Sequence, residues 1–469
     1  MNHCVLVNPR LGRQTFDNGA VRKDFLTLID FDTFTDIPRD LGACRPWEQL
    51  VTDRKGPDTY ANNPHVDINM PSFSFDSNLV PGLDIPIPNP NGWSIPSPSL
   101  GEEPYHDFPN AVTIGLEFKF LIPLLPSGVA DPCPNDPRPA RWTTSTCTIE
   151  EVLVVVANII NSASKNSTIT LPDIRSIGRQ ESDYWGQSWI VKQANSAEPG
   201  EEEKKNGKGY VWIPVEINSP RMLACNPDTL ADIWTVVTAL NQSFRLVTNY
   251  SCELHVHLGR FDGKPFTLRT LKKLGTLFWT AEPFLRSVKN PQSPNYHNKF
   301  TWSSALRDKS RLSSKQHQLS DPRLDIWKCP DSQVLGQLLS GEGRQYRRLG
   351  FNFSAFGLED ERAERSPRTV EVRFLEGCGA DGDGATVNKD KGADQIEGWL
   401  RLCIAMVDLA ISQEEDVFEE MIRRLDAIEH ANSPKWTRQR GAYFEQIMRW
   451  LGIQDRHATS AFRSMIDGF

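Results

Sequence analysis

Residues 251–260, SCELHVHLGR, constrain this chain more than any other stretch. Glu253, His255 and His257 alternate with Cys252, Leu254, Val256 and Leu258. In a β-strand, successive side chains point to opposite faces. One face then carries an acid and two imidazoles, and the other a thiol and aliphatic groups. The aliphatic side calls for a core. The polar side calls for a cleft that holds ions or phosphates, since neutral imidazole is a common metal ligand whose tautomer a neighbour fixes. A half-buried strand whose histidines only make hydrogen bonds fits these ten residues equally well, so other stretches must decide.

Three of them repeat the pattern. In residues 112–121, VTIGLEFKFL, the residues Val112, Ile114, Leu116, Phe118 and Phe120 share a face opposite Thr113, Gly115, Glu117, Lys119 and Leu121. Residues 210–218, YVWIPVEIN, set Glu216 beside Asn218, and residues 368–375, RTVEVRFL, set Glu371 and Arg373 opposite Val370, Val372 and Phe374. Charges on the inner face of a sheet are costly unless partners or metals compensate them. Four strands that each carry them predict a wall that gathers ligands. Carboxylates with imidazole suit Mg2+ or Mn2+ better than a structural zinc. Phosphate oxygens would complete such a site, and Arg373 would take up charge developing on a transferred phosphoryl group.

The rest of the chain supplies helices. Thr148-Ile149-Glu150-Glu151 is a capping box opening a helix to about residue 161. Asn226-Pro227-Asp228 opens another that runs to about residue 249. Further helices are predicted over residues 267–288, 395–412, 414–431 and 434–451, and a strand over 188–192. The charged run at 201–207, EEEKKNG, reads as a solvated hairpin tip. Residues 57–109, rich in Pro, Asn, Ser and Asp, resist helices and central strands and are either disordered or an extended arm. The basic segment 295–350, with Arg307, Arg311 and Arg323 among its cations, is a solvated face or a source of phosphate contacts. Strands with crossing helices, then helices alone, predict an α+β fold around an antiparallel sheet. The expected division is an N-terminal extension over 1–108, a catalytic body over 109–394 and a C-terminal helical layer over 395–469.

Composition removes some classes. A formal net charge of -8 disfavours nucleic-acid partners. No apolar run is long enough for a bilayer, and the first residues lack a secretory core, so a cytoplasmic protein is expected. Nine cysteines without a Cys-x-x-Cys pair argue against a zinc framework or a full disulfide set.

The four motifs, GLEFKF at 115–120, VEINSP at 215–220, SCELHVH at 251–257 and TVEVR at 369–373, resemble in their order the amidoligase family, and within it the large, divergent fungal members. That family is similar to glutamate–cysteine ligase and glutamine synthetase, and the resemblance spans about residues 110–410. It implies an antiparallel sheet shaped as a glutamine synthetase-like funnel for ATP and Mg2+ or Mn2+. It also implies an enzyme that activates a small carboxylic acid as an acyl phosphate for attack by an amine, in specialised biosynthesis. Carried over by position, Glu117, Glu216, His255 and Glu371 would bind metal, His257 would lie nearer the nucleotide, and Arg373 would contact phosphate. Glu117, Glu216, Arg373 and Lys119 are the expected catalytic set, and Arg260 a further expected nucleotide contact. The chain departs from the family where Lys119 replaces the second acid of Glu-x-Glu and where Glu253 replaces a glycine. A non-catalytic nucleotide- or metabolite-binding protein on the same scaffold is the alternative. A third reading, a Cys252 nucleophile, conflicts with the alternation that turns Cys252 away from His255 and His257.

Overall fold

Strand pairing follows the alternation in the sequence. The computed structural model describes residues 7–8, 12–13, 94–95, 107–134, 148–289, 305–314, 321–343, 346–358, 367–376, 391–432 and 448. Two units divide the chain. One comprises residues 1–72 with 143–147, and the other residues 73–142 with 148–469. In the first, β1 (Val7–Asn8) pairs antiparallel with β2 (Gly12–Arg13).

The second unit is built on β3 (Val112–Leu124). After it come α1 (Ile149–Ala163), β4 (Ser167–Thr170), α2 (Leu171–Ser176), β5 (Ser188–Gln193), α3 (Glu201–Asn206), β6 (Val211–Asn218), β7 (Met222–Leu223) and α4 (Pro227–Ser243). Then follow β8 (Glu253–Arg260), α5 (Leu268–Leu285), the short helices α6 (Leu306–Lys309), α7 (Arg311–Ser314), α8 (Pro322–Trp327) and α9 (Ser332–Leu338), and β9 (Phe351–Asn352). β10 (Val370–Glu376), α10 (Lys391–Ser412) and α11 (Glu415–Asn432) complete the described elements.

The sheet runs β4-β5-β6-β3-β8-β10-β9, with β7 also paired to β3. Only the β4–β5 pair is parallel among these, so the fold is α+β with a mostly antiparallel sheet. The apolar residues of β3 and β8 are fully buried, down to Phe120 and Leu258 at 0% exposure. Helices α1 and α10 pack on the sheet, α4 joins both, and α5 carries α11 outside it. An aromatic stack runs from Phe278 of α5 through Phe351 and Phe374 to Trp399 of α10, with centroid spacings of 4.3, 5.3 and 6.3 Å. It fixes β9 and β10 to the helical layer.

Local chemistry sets most element ends. Thr148 and Glu151 form the expected capping box, each side chain accepting the other residue's N–H at 3.2 and 2.8 Å. Asn226 caps α4, with Pro227 in its first turn. Helix α4 stops at Ser243, six residues before the expected end. Phe244 turns extended there, and an extended path lets Phe244 and Leu246 both bury at 1% exposure. The run at 201–206 is helical rather than a hairpin tip. Its glutamates lie in the first turn and its lysines in the last, the order the helix dipole favours. Two arginines of the basic segment have acidic partners. Arg307 holds Glu429 at 2.9 Å and Arg323 holds Asp321 and Asp426, so helix α11 supplies partners for both. The proline-rich stretch (save 94–95 and 107–109), residues 377–390 and the 434–451 helix (save Met448) lie outside the described residues.

Candidate functional site

Register brings the charged residues of distant strands into adjacent rows. Glu117 stands between Asn218 of β6 and His255 of β8, and Lys119 opposite Glu216. His257 stands between Gly115 of β3 and Glu371 of β10, and Glu371 in turn faces Asn352 of β9. Lys192 of β5 lies opposite Glu216. These residues share the sheet face turned away from the aliphatic core.

The best group for an ion is Glu117, His257 and Glu371, whose ligand atoms lie within 4.8 Å of one another. His257 Nε2 is 3.8 Å from Glu117 Oε2 and 3.9 Å from Glu371 Oε1. The remaining ring nitrogen, Nδ1, shares a 3.1 Å hydrogen bond with Thr369 Oγ1, which orients the ring with Nε2 toward the acids. Asn352 Nδ2 donates to Glu371 Oε2 at 2.6 Å. Carboxylate oxygens with one imidazole are a donor set that fits Mg2+ or Mn2+. His257 is also the more open imidazole, its side chain 29% exposed against 1% for His255.

His255 sits one row deeper and is enclosed by acids. Its Nδ1 lies 2.9 Å from Glu117 Oε1 and 3.3 Å from Glu371 Oε1, and its Nε2 lies 2.9 Å from Glu253 Oε2. Both nitrogens therefore face protein carboxylates, which makes this ring a brace between acids rather than an open ligand. Burial and Arg373 oppose its protonation and the Glu117 carboxylate favours it; its pKa is raised on balance.

Arg373 Nη1 donates to Glu371 Oε1 at 2.9 Å, and Nη2 to Glu253 Oε2 at 3.1 Å. A register shift between Val372 and Leu375 helps to aim it. The extra residue returns Leu375 to the core opposite Leu254 and sets Glu376 opposite Glu253, which strict alternation does not anticipate. Burial works against the guanidinium, yet Glu371 and Glu253 raise its pKa. Burial likewise works against the Glu371 carboxylate, but Arg373, His257 and His255 hold it down to about 2. Glu117 is also held well below the usual range, because its imidazole and ammonium neighbours exceed the penalty of burial.

The second cationic group lies beside the first. Lys119 Nζ is 2.8 Å from Glu117 Oε1, and Lys192 Nζ is 3.0 Å from Glu216 Oε1 and 2.7 Å from Glu181 Oε1. Asn218, with its amide turned to suit its neighbours, donates to Glu216 Oε1 and accepts from Lys192, both at 3.2 Å. Burial and the nearby Glu117 charge push the Glu216 carboxyl up. Glu216, expected as a metal ligand, thus stands against an ammonium, outside the ion-holding trio. Arg260, expected at the nucleotide, is an odd number of residues from His257, so it falls on the opposite face, where Asp107 and Asp262 take its guanidinium at 2.9 and 2.7 Å. Strand parity alone separates it from the imidazoles.

Asn352, Thr369 and Glu181 join the site without having been foreseen. The run Phe351-Asn352-Phe353-Ser354 alternates and could have marked Asn352; nothing local marks Glu181. Cys252 is fully buried with Leu121, Ala194 and Ala197, and burial pushes its thiol up to about 12. A thiolate nucleophile there is excluded by its surroundings.

Residues 147–377 match a family model described as "Putative amidoligase enzyme". The match covers just under half of the chain, which is similar to that family over this stretch. The matched residues carry Glu216, His255, His257, Glu371 and Arg373; Glu117 and Lys119 precede them and enter the same sheet through the pairing of β3 with β6 and β8. No curated protein matches this chain. A crystal structure of a bifunctional glutathione synthetase from Pasteurella multocida is similar at 10% identity and a TM-score of 0.29, over 77% of this chain. The chain spans 47% of that structure's length, and the likeness is too slight to bear on the fold.

Proposed function

We propose that this protein is an ATP-dependent carboxylate–amine ligase whose sheet forms the floor of a glutamine synthetase-like funnel. The observation that carries the reading is the convergence of Glu117, His257 and Glu371, from three strands, beside the buried Arg373. The trio would hold one Mg2+ or Mn2+. Bound nucleotide and metal would supply a phosphoryl donor and charge neutralisation for activating an acid as its acyl phosphate.

The chain's own residues prepare that surface. Thr369 and Asn352 orient His257 and Glu371, so the donors need little rearrangement on binding. His255 and Arg373 tie Glu117, Glu253 and Glu371 together and keep Glu117 and Glu371 ionised. Arg373 adds a fixed positive charge within reach of the same acids, suited to phosphoryl oxygens. Glu216 would hold Lys192 in place rather than ligate an ion.

The test is phosphate release from ATP with panels of small acids and amines. Release that needs both an acid and an amine, and that disappears in Glu371→Gln, is the expected outcome. Absence of any such dependence across the panels would remove the reading. The contact of Lys119 with Glu117 favours one second reading, a binding protein without turnover. Nucleotide binding with no phosphate release, and turnover appearing in Lys119→Glu, would select it.

A further inference from the structure

We infer that Lys119 is a built-in cation that fixes the capacity of this site at one divalent ion; this rests on the metal site proposed above. The argument is one of position. Lys119 meets Glu117 at 2.8 Å, and His255 joins Glu117 to Glu253 and Glu371. Lys192 holds Glu181 and Glu216 in the adjoining group.

Lys119 is 5% exposed and stands opposite Glu216, with Glu253 one residue beyond the Phe118–Leu254 pair on its other side. Glu117, Glu216 and Glu253 all act on its ammonium. Three carboxylates around one buried position would otherwise define a place for a second ion, because buried acids need a compensating cation. Glu253 Oε1 is buried there without a hydrogen-bond partner. The ammonium also engages Oε1 of Glu117 and leaves Oε2 as the oxygen facing His257. Lys119 is thus a positioning residue for Glu117 as well as a substitute for an ion. Replacing it by an acid removes the ammonium and adds a fourth carboxylate at the same place, the surroundings of a second ion.

The experiment counts Mn2+ bound per full-length chain, without nucleotide, by the electron paramagnetic resonance signal of free Mn2+ and by titration calorimetry. The native protein should bind one ion. Lys119→Glu should bind two, while Lys119→Arg, which keeps the charge, should bind one. Circular dichroism and thermal unfolding report whether each variant is folded, and the native count is decisive even if a variant is not. Two or more ions in the native chain would overturn the role of Lys119 and leave the metal site standing. A folded Lys119→Glu that still binds one ion would do the same. No binding up to millimolar Mn2+ would remove the metal site itself, and this inference with it.

Discussion

Two histidines on one strand face illustrate how far single residues differ when their spacing is the same. The period-2 rule places His255 and His257 side by side, but it does not say which is open. His255 is enclosed by three carboxylates, while His257 keeps Nε2 directed at Glu117 and Glu371. Asn352 has a comparable supporting part. It sits at the end of a two-residue strand and holds the oxygen of Glu371 that does not face His257. Removing such a support typically weakens metal binding by about 10–100-fold. Asn352→Ala should therefore bind Mn2+ about tenfold more weakly by calorimetry, with its far-ultraviolet circular dichroism unchanged. An unchanged affinity would show that Glu371 is held without it.

At the scale of elements, the alternating strands and capped helices were legible because their signals are local. The capping box of α1, the Asn-Pro start of α4, the alternation in β3 and β8 and that of β10 as far as its register shift each reappear as read. Short elements were not legible, because tertiary contacts rather than periodicity hold them. Helix α9 shows why. Its Gly336 lies against the turn after β9, where an added Cβ would come within 2.5 Å of Gly357 N and 2.8 Å of Phe356 C. Backbone cannot yield as a flexible side chain does, so overpacking there costs about 1–3 kcal/mol. Gly336→Ala should lower stability by about that amount in urea unfolding. Gly275→Ala should cost less, since its nearest neighbour at 2.7 Å is the terminal Cδ1 of Leu339, a side chain able to turn.

For the molecule as a whole, buried acids of opposite tendency set the response to pH. Glu371, held down to about 2, contributes stability above the ordinary carboxylate range that is lost as pH falls toward 2. Asp408 of α10 behaves in the opposite sense. Burial alone pushes it up to about 7, so its contribution is present at low pH and is lost as pH rises through 7. Burial also raises Glu282 to about 6, although it accepts the N–H groups of Leu306 and Arg307 at 2.6 and 2.8 Å. Asp408→Asn cannot ionise, so it should gain on the native chain by roughly 1–3 kcal/mol between pH 5 and pH 8. Urea midpoints at the two pH values check this; an equal offset at both would show that Asp408 does not titrate in that window. No described helix is long and apolar enough to cross a membrane.

By itself the sequence determined which residues share a face. A strand's two-residue period is a property of the covalent chain, and it sends Glu117, Glu216, His255, His257, Glu371 and Arg373 to one side wherever the strand lies. The same rule separates Arg260 and Cys252 from the imidazoles. Only the tertiary structure decided who pairs with whom. Strand order and register set the distances, and the strength of a charge contact depends on distance and burial rather than on order along the chain. That is why Lys192 reaches Glu216, Lys119 reaches Glu117, and His257 rather than His255 is left to face an ion.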